Sequence, residues 1–188
     1  SDEIHCELVM PGYKYTPFAS LSQEFMQNSA VCISPSKSFN IAGLQIANII
    51  IADAEIQKKV DKAININEVC DVNPFGVEAL QAAYTPEGEE WLMQLNDYIA
   101  GNYEYLCAFF QQELPQFPVT KLEGTYLAWI DVRSLNESSE QLEERLMEEQ
   151  KVWINAGSMY GTEGFIRINL ACPRATLEEG LKRLKKGL

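Results

Sequence analysis

The fold is decided by the stretch Ala30-Val31-Cys32-Ile33-Ser34-Pro35-Ser36-Lys37-Ser38-Phe39-Asn40. Residues Ala30 to Ser34 form a short apolar run of the kind found in strands, and a turn containing Lys37 follows it directly. A second apolar run, Leu44 to Ala52, is rich in isoleucine. The sequence therefore predicts two buried strands that flank Lys37.

Helix signals follow this pair of runs. Asp53 is suited to cap a helix over Ala54 to Ile64, because a short carboxylate accepts hydrogen bonds from the first free N–H groups. Asn73-Pro74 is suited to open another helix that continues to Ala83, since proline is tolerated in the first turn. The predicted order is strand, strand, helix, helix.

A long helix is predicted from Glu87 to Leu114, where apolar residues recur at spacings of three, four or seven. At 1.5 Å per residue it would span roughly 40 Å, which is about the width of a domain. Pro115 and Pro118 follow it and indicate a change of architecture. We therefore place a domain boundary near Gly101, which divides the chain into residues 1–101 and 102–188.

The second part again mixes strands and helices. Its predicted strands are Thr125 to Val132, Val152 to Asn155 and Phe165 to Leu170, with a charged helix over Ser138 to Gln150. A closing helix is indicated by Leu177, Leu181, Leu184 and Leu188, with Thr176 and Glu179 at the spacing of a capping box. The class predicted for both parts is α/β.

Composition excludes several functions. The formal net charge is −12 and no segment concentrates basic residues, so nucleic acid is not an expected partner. The apolar runs are too short to span a bilayer, which predicts a soluble protein without a membrane partner. The five cysteines are scattered among apolar neighbours, which favours reduced thiols in a cytoplasm. With His5 as the only histidine, neither a His-rich metal site nor a Ser-His-Asp triad is expected.

Three groups of residues carry potential chemistry, and each alone is a weak signal. They are Ser1-Asp2-Glu3-Ile4-His5, Ser34-Pro35-Ser36-Lys37, and Gly164-Phe165-Ile166-Arg167-Ile168-Asn169-Leu170. Together, in this order, they resemble the fold-type-I pyridoxal-phosphate (PLP) enzymes of the class I and II aminotransferase superfamily. The similarity covers essentially the whole chain.

Five segments resemble one branch of that superfamily, the cystathionine β-lyases or C–S lyases. They are SDEIHCEL (1–8), YTPFASL (15–21), SPSKSFNIAGLQ (34–45), NPFG (73–76) and AGSMYGTEGFIRINLACPR (156–174). The resemblance implies the C-terminal part of a PLP-binding large domain, with a mixed sheet and helices, followed by a small α/β domain.

The resemblance also implies roles for four residues near the N-terminal part of the chain. Lys37 would form the Schiff base with PLP and later remove the substrate Cα proton, while Ser34 would hydrogen-bond the cofactor phosphate. Asp2 would pair with the pyridine nitrogen and keep it protonated, so that the ring accepts electrons. His5 matches a position near the ring's phenolic oxygen.

Arg167 matches the arginine that binds the substrate α-carboxylate, a task suited to a planar, permanently charged guanidinium. Strand alternation predicts that Phe165, Arg167 and Asn169 face one side and that Ile166, Ile168 and Leu170 face the other. We interpret Arg174, outside that strand, as a structural or capping residue.

One position departs from the common pattern. Many aminotransferases have a phosphate-binding arginine eight residues after the lysine, where this chain has Gln45. This version resembles the C–S lyase branch, so we favour β-elimination, with an aminotransferase as the alternative. Asn73 to Gly76 lies where relatives approach the neighbouring subunit, which implies a homodimer.

Two other classes of function are open. Ser34-x-x-Lys37 is also the spacing of a serine acyl-enzyme in which lysine activates serine, although no Lys-Thr-Gly or Ser-Asp-Asn accompanies it. A binding or regulatory module is the other, since some relatives influence transcription through protein contacts. Because family members have about as much sequence again before Asp2, we expect a C-terminal fragment that binds PLP poorly and has no appreciable activity by itself.

Overall fold

The structure is a computed structural model that describes residues 1–69 and 71–188. The predicted thiol of Cys70 lies outside the described residues. The chain forms two compact units, Ser1–Asn96 and Asp97–Leu188, and both contain helices and strands, which confirms the α/β class. The change of unit falls within the long helix that we expected to contain a boundary. The assignment of domains to residues 1–101 and 102–188 stays a prediction.

Helices account for most of the regular structure in the described residues. The helices are α1 (Gln23–Gln27), α2 (Ala54–Ile66), α3 (Pro74–Ala83), α4 (Pro86–Glu113), α5 (Ser139–Arg145) and α6 (Arg174–Gly187). The strands are β1 (Ala30–Ile33), β2 (Asn48–Ile51), β3 (Leu127–Asp131), β4 (Asn155–Ala156) and β5 (Phe165–Asn169). In the described parts of the chain, no helix is both long and apolar enough to cross a membrane.

The first unit contains an antiparallel pair, in which β1 lies beside β2 with Val31 opposite Ile50. The prediction that β1 is a strand is confirmed, but only Val31 of its four residues is buried. The second predicted strand is shorter than expected, because Ala42–Leu44 forms a 3-10 turn and Gln45 adopts a left-handed conformation. The prediction that this second strand is buried is also wrong, because Ile50 is 52% exposed. The described residues leave much of the strand uncovered.

The helix starts of the first unit follow the sequence signals. The Asp53 side chain accepts a hydrogen bond from the Ile56 N–H at 2.8 Å and begins α2. The Asn73 side chain accepts from the Phe75 N–H at 3.0 Å, and Pro74 occupies the first turn of α3. Both predicted caps are confirmed. Helix α1 was not predicted, because its five residues carry no periodic apolar pattern.

The second unit is built on a three-stranded antiparallel sheet of order β3-β5-β4. In β5, Ile166 and Ile168 are buried, whereas Arg167 lies between them on the other face. The predicted alternation of this strand is therefore confirmed. Trp129 of β3 and Asn155 of β4 are the cross-strand neighbours of Arg167. The central strand thus presents its arginine between residues of both outer strands.

Three expectations for the second unit need correction. Strand β4 has only two residues, so most of the run before Asn155 is not strand. The helix capped by Ser138 is α-helical only to Arg145 and continues as a π-helical turn to Gln150. Thr176 and Glu179 form no capping box, because α6 already begins at Arg174 after Pro173. Proline is rigid near the φ of a helix, so it favours an earlier start.

Asn102 is a polar residue within the core of the second unit, and its exposed fraction is 0%. Its amide nitrogen donates to the carbonyl oxygens of Leu170, at 2.9 Å, and Cys172, at 3.0 Å. Its amide oxygen accepts from Arg174 Nε at 2.8 Å. One side chain of α4 therefore fixes the segment between β5 and α6, and Arg174 has the structural role that we predicted.

We expect Asn102→Leu to lower the free energy of unfolding by about 2–4 kcal/mol, because it leaves two buried carbonyls and a guanidinium without their partner. Urea unfolding of the whole chain measures the change. Gln111→Leu, an exposed position of the same helix, is the control and should change stability little. Equal stability of the two variants would contradict the role of Asn102.

A second polar contact fixes the start of α5. Glu163 Oε1 accepts hydrogen bonds from the N–H groups of Ser139, at 2.5 Å, and Gly164, at 3.1 Å. The first N–H groups of a helix lack partners within the helix, so this carboxylate satisfies one of them. The Ser139 N–H, followed by the other hydrogen bonds, holds the pKa of Glu163 below its ordinary value.

This lowered pKa predicts a pH dependence of stability. The contribution of the Glu163 carboxylate is complete above the ordinary pKa of glutamate and is lost as the pH falls through the lowered folded-state value. Between about pH 7 and about pH 3, the wild-type chain should therefore lose more stability than Glu163→Gln does. Chemical unfolding at several pH values tests this. The exposed control Glu144→Gln should follow the wild type, and parallel curves for all three proteins would exclude the effect.

Candidate functional site

The segment Ser1–Glu3 lies parallel to β1 and brings Asp2 opposite Cys32. The Cys32 N–H donates to the Ser1 carbonyl at 2.8 Å, and the Glu3 N–H donates to the Cys32 carbonyl at 2.9 Å. The Asp2 side chain is exposed and accepts from the Ile4 N–H at 3.2 Å. Asp2 is thus fixed by backbone hydrogen bonds beside the strand that leads to Lys37.

Ser34 lies directly after β1 and is buried. Its Oγ is 2.6 Å from the Ile46 carbonyl, to which it donates, and it accepts from the Ser36 N–H at 3.0 Å. The Oγ atoms of Ser34 and Ser36 are 2.6 Å apart. Ser34 therefore joins the end of β1 to the residues before β2. Ser36 is a neighbouring hydroxyl that sequence reasoning did not single out.

Lys37 is exposed in the turn that follows. The turn is closed by hydrogen bonds from the Phe39 N–H to the Pro35 carbonyl, at 2.9 Å, and from the Ile41 N–H to the Ser36 carbonyl, at 3.2 Å. The amine of Lys37 makes no ion pair with a carboxylate among the residues that the structure describes. It is held on a defined backbone and remains accessible to a ligand.

A buried carboxylate next to Asp2 was also missed from the sequence. Glu3 is 5% exposed, and its Oε1 accepts from the Phe18 N–H at 2.9 Å and the Ser1 hydroxyl at 3.1 Å. Burial, followed by a hydrogen bond with Glu3, raises the pKa of Tyr15 to about 12. Glu3 therefore attaches the 15–21 segment to the one that carries Asp2. His5 is half-buried in the turn after Glu3.

An aromatic cluster borders the Lys37 turn on the other side. The ring of Phe39 stacks on Trp91, with 5.4 Å between centroids, and meets Tyr84 edge-on at 6.2 Å. Burial raises the pKa of Tyr84, and the carboxylate of Glu7 raises it further. Phe39, Tyr84 and Glu7 line a cavity of about 440 Å³. The cluster fixes Phe39, two residues after Lys37.

Arg167 belongs to the second unit, where aromatic and amide side chains surround it. Its Nη2 donates to Asn155 Oδ1 at 3.0 Å, and its Cζ lies 4.1 Å from the centroid of the Tyr160 ring. Tyr160 in turn meets Trp129 edge-on at 6.0 Å. Trp129 also stacks on Phe165, with 5.6 Å between centroids. The guanidinium is thus held at one edge and on one face.

Asp2, His5, Ser34 and Lys37 all lie in the first unit, where Asp2 pairs with Cys32 of β1 and where Ser34 and Lys37 follow that strand. Arg167 lies in the second unit, in contact with Asn155 and Tyr160. Asn155 and Tyr160 were not predicted as site residues. Tyr160 lies within the 156–174 segment that resembles relatives, which was the available signal. The position of Asn155 depends on strand register, which the sequence does not reveal.

In the described part of the chain, the cysteines and acidic residues form neither a metal site nor a disulfide. Cys6, Cys32, Cys107 and Cys172 are free, and no group of three or more His, Cys, Asp or Glu side chains there could hold a metal ion. Burial is the main cause that raises the pKa values of Cys6, Cys107 and Cys172. These three cysteines are therefore protonated thiols at neutral pH and poor nucleophiles.

Comparison with protein families gives a match to "Aminotransferase class I and II" over residues 1–184. The chain belongs to this family. The predicted relationship is therefore confirmed, while the roles of the individual residues stay predictions.

Individual relatives come from the branch that the sequence resembles. The chain is 42% identical to cystathionine beta-lyase PatB of Bacillus subtilis over 190 residues, which cover 100% of this chain and 49% of the relative. Cystalysin of Treponema denticola, solved with pyridoxal 5'-phosphate, matches with a TM-score of 0.94 and 34% identity. A PLP-bound C–S lyase of Staphylococcus hominis matches with a TM-score of 0.86 and 35% identity.

The two solved structures match 100% of this chain, and the chain covers 48% of each. The chain therefore spans about half the length of the relatives it matches.

Proposed function

We propose that the full-length protein is a PLP-dependent C–S lyase. Its substrate would be cystathionine or a cysteine-type amino acid, whose Cβ–S bond breaks and, with addition of water, gives a thiol, pyruvate and ammonia. The observation that carries the proposal is the pairing of Ser1–Glu3 with β1, which holds Asp2 beside the strand that leads to Lys37. Similarity to cystathionine β-lyases and C–S lyases supports this choice of reaction.

The residues of the first unit fit PLP at its aldehyde and at its pyridine nitrogen. Lys37 offers an accessible primary amine for the aldehyde, and Asp2 offers an exposed carboxylate for the pyridine nitrogen. The phosphate end is less complete: Ser34 donates its one hydroxyl proton to the Ile46 carbonyl, and the Ser36 hydroxyl then donates its proton to Ser34 Oγ. A phosphate has three strong acceptor oxygens, so further donors would come from outside this chain.

Bound PLP supplies an electron-accepting ring that makes the substrate Cα proton acidic. The Asp2 carboxylate would hold a proton on the ring nitrogen. The amine of Lys37 would take the proton from Cα, and the sulfur would then leave Cβ. Arg167 orients the substrate through its α-carboxylate, since a guanidinium can bind both carboxylate oxygens.

A cytoplasmic homodimer is part of this proposal. The free thiols of the described cysteines support a reducing compartment, because disulfides persist mainly in oxidising ones. Phe75, at the start of α3, is 75% exposed and lies in the 73–76 segment that resembles a subunit contact of relatives. An exposed aromatic ring is a typical component of such a contact.

The role of Lys37 predicts a covalent product. Borohydride reduction of the full-length protein with PLP should attach the cofactor to Lys37, as shown by peptide mass spectrometry, and Lys37→Ala should abolish the label. The 188-residue chain by itself should bind PLP more weakly, because it offers few donors to the phosphate. Lys58→Ala, an exposed lysine of α2, is the control and should keep the label. Labelling at another lysine in the full-length protein would overturn the assignment.

The reaction type is decided by product formation. With cystathionine and no 2-oxo acid, the full-length protein should release pyruvate in many turnovers per active site. The alternative is an aminotransferase, which agrees with the family description. An aminotransferase would need a 2-oxo acid as the amino-group acceptor. Pyruvate measured with and without 2-oxoglutarate separates the two. Amino transfer without sulfur release would reject the lyase.

A further inference from the structure

We infer that Asn155 and Tyr160 are positioning residues that tune Arg167 for the substrate α-carboxylate. The inference rests on the proposed function, because it names residues that act through the predicted carboxylate-binding arginine. Its basis is the environment of the guanidinium in the second unit. That environment fixes the orientation of the group without neutralising its charge.

The charge of Arg167 is not balanced by a carboxylate, unlike that of most arginines in the chain. Arg133, Arg145 and Arg183 pair with carboxylates, namely Asp131, Glu137 and Glu179. In the described residues Arg167 forms no ion pair, although acidic residues outnumber basic ones in the chain by 27 to 15. Its neighbours are an amide and aromatic rings. The full positive charge is therefore available to an anion.

Asn155 fixes the rotation of the guanidinium within its plane. It lies opposite Arg167 in the register of β4 and β5, and its Oδ1 accepts from Nη2 at 3.0 Å. An amide oxygen is a neutral acceptor, so it orients the group without forming an ion pair. An aspartate at this position would form one and would compete with the substrate carboxylate.

Tyr160 fixes the plane itself. Its ring faces the guanidinium, with 4.1 Å between Cζ and the centroid, and Trp129 buttresses it edge-on. Stacking uses the face of a guanidinium and leaves the N–H groups at its edge available for hydrogen bonds. Tyr160 ends a 3-10 turn, and Gly161 follows at a φ of +78°, a conformation that favours glycine. The turn therefore holds the ring in place.

One donor of the fixed group lacks an acceptor. Arg167 Nε is buried and makes no hydrogen bond within the described residues. Buried N–H groups are nearly always paired in native proteins, and an unpaired one calls for an explanation. Asn155 binds Nη2 and Tyr160 covers the face, so neither of them satisfies Nε. A substrate carboxylate that displaced the groups covering Nε would supply the missing acceptor.

The test measures binding of two probes that differ by a carboxylate, L-alanine and ethylamine, to the full-length protein loaded with PLP. Dissociation constants come from the change in cofactor absorbance. Tyr160→Leu should weaken L-alanine binding about tenfold through loss of the ring face. Asn155→Asp should weaken it about a hundredfold, because the guanidinium charge is already paired. Neither variant should change ethylamine binding more than about twofold. A general structural defect would instead weaken the binding of both probes.

Tyr160→Phe is the matched control, since it keeps the ring and removes only the hydroxyl, and it should bind L-alanine as the wild type does. The inference would be overturned if Tyr160→Phe and Tyr160→Leu weakened L-alanine binding equally. It would also be overturned if a variant weakened the binding of L-alanine and of ethylamine equally. If Tyr160→Leu does not fold, the near-isosteric Asn155→Asp decides the matter. Arg167→Ala distinguishes the proposed function from this inference. Unchanged L-alanine binding in Arg167→Ala would reject Arg167 as the carboxylate-binding residue. Weaker L-alanine binding in Arg167→Ala alone would reject only the positioning roles of Asn155 and Tyr160.

Discussion

The first unit depends on the pairing of Ser1–Glu3 with β1. Two backbone hydrogen bonds, on either side of Cys32, set this register. A shift by one residue would turn Asp2 to the opposite face, because side chains alternate along an extended segment. The buried carboxylate of Glu3 adds hydrogen bonds to Phe18 and Ser1, so the register is fixed by a side chain as well. The proposed cofactor chemistry requires this constraint.

The second unit holds the charged guanidinium of Arg167 in a fixed position on β5. Ile166 and Ile168 anchor β5 in the core, so that Arg167 must lie on the opposite face. Asn102 fixes the segment that follows the strand, through hydrogen bonds to Leu170 and Cys172. The strand cannot slide without breaking these contacts. In each unit, the residues to which we assign chemistry are therefore held by groups to which we assign none.

Local signals predicted the elements well where one residue controls the backbone. Asp53 and Asn73 cap their helices as expected, because a capping side chain acts on N–H groups only two or three positions away. Predictions failed where other residues compete. Thr176 forms no capping box, because Pro173 starts α6 earlier, and β4 is short because only two of its residues pair with β5.

The sequence by itself determined the chemical groups of the candidate site and the alternation that places Arg167 opposite an apolar anchor, since both depend on residue identity and on the strand period. The tertiary structure decided the neighbours: Asp2 beside Cys32, Ser34 bonded to Ile46, and Asn155 beside Arg167. These contacts join residues 12 to 30 positions apart, as counted along the chain. Strand register and loop packing set such contacts, and neither is encoded by a local pattern.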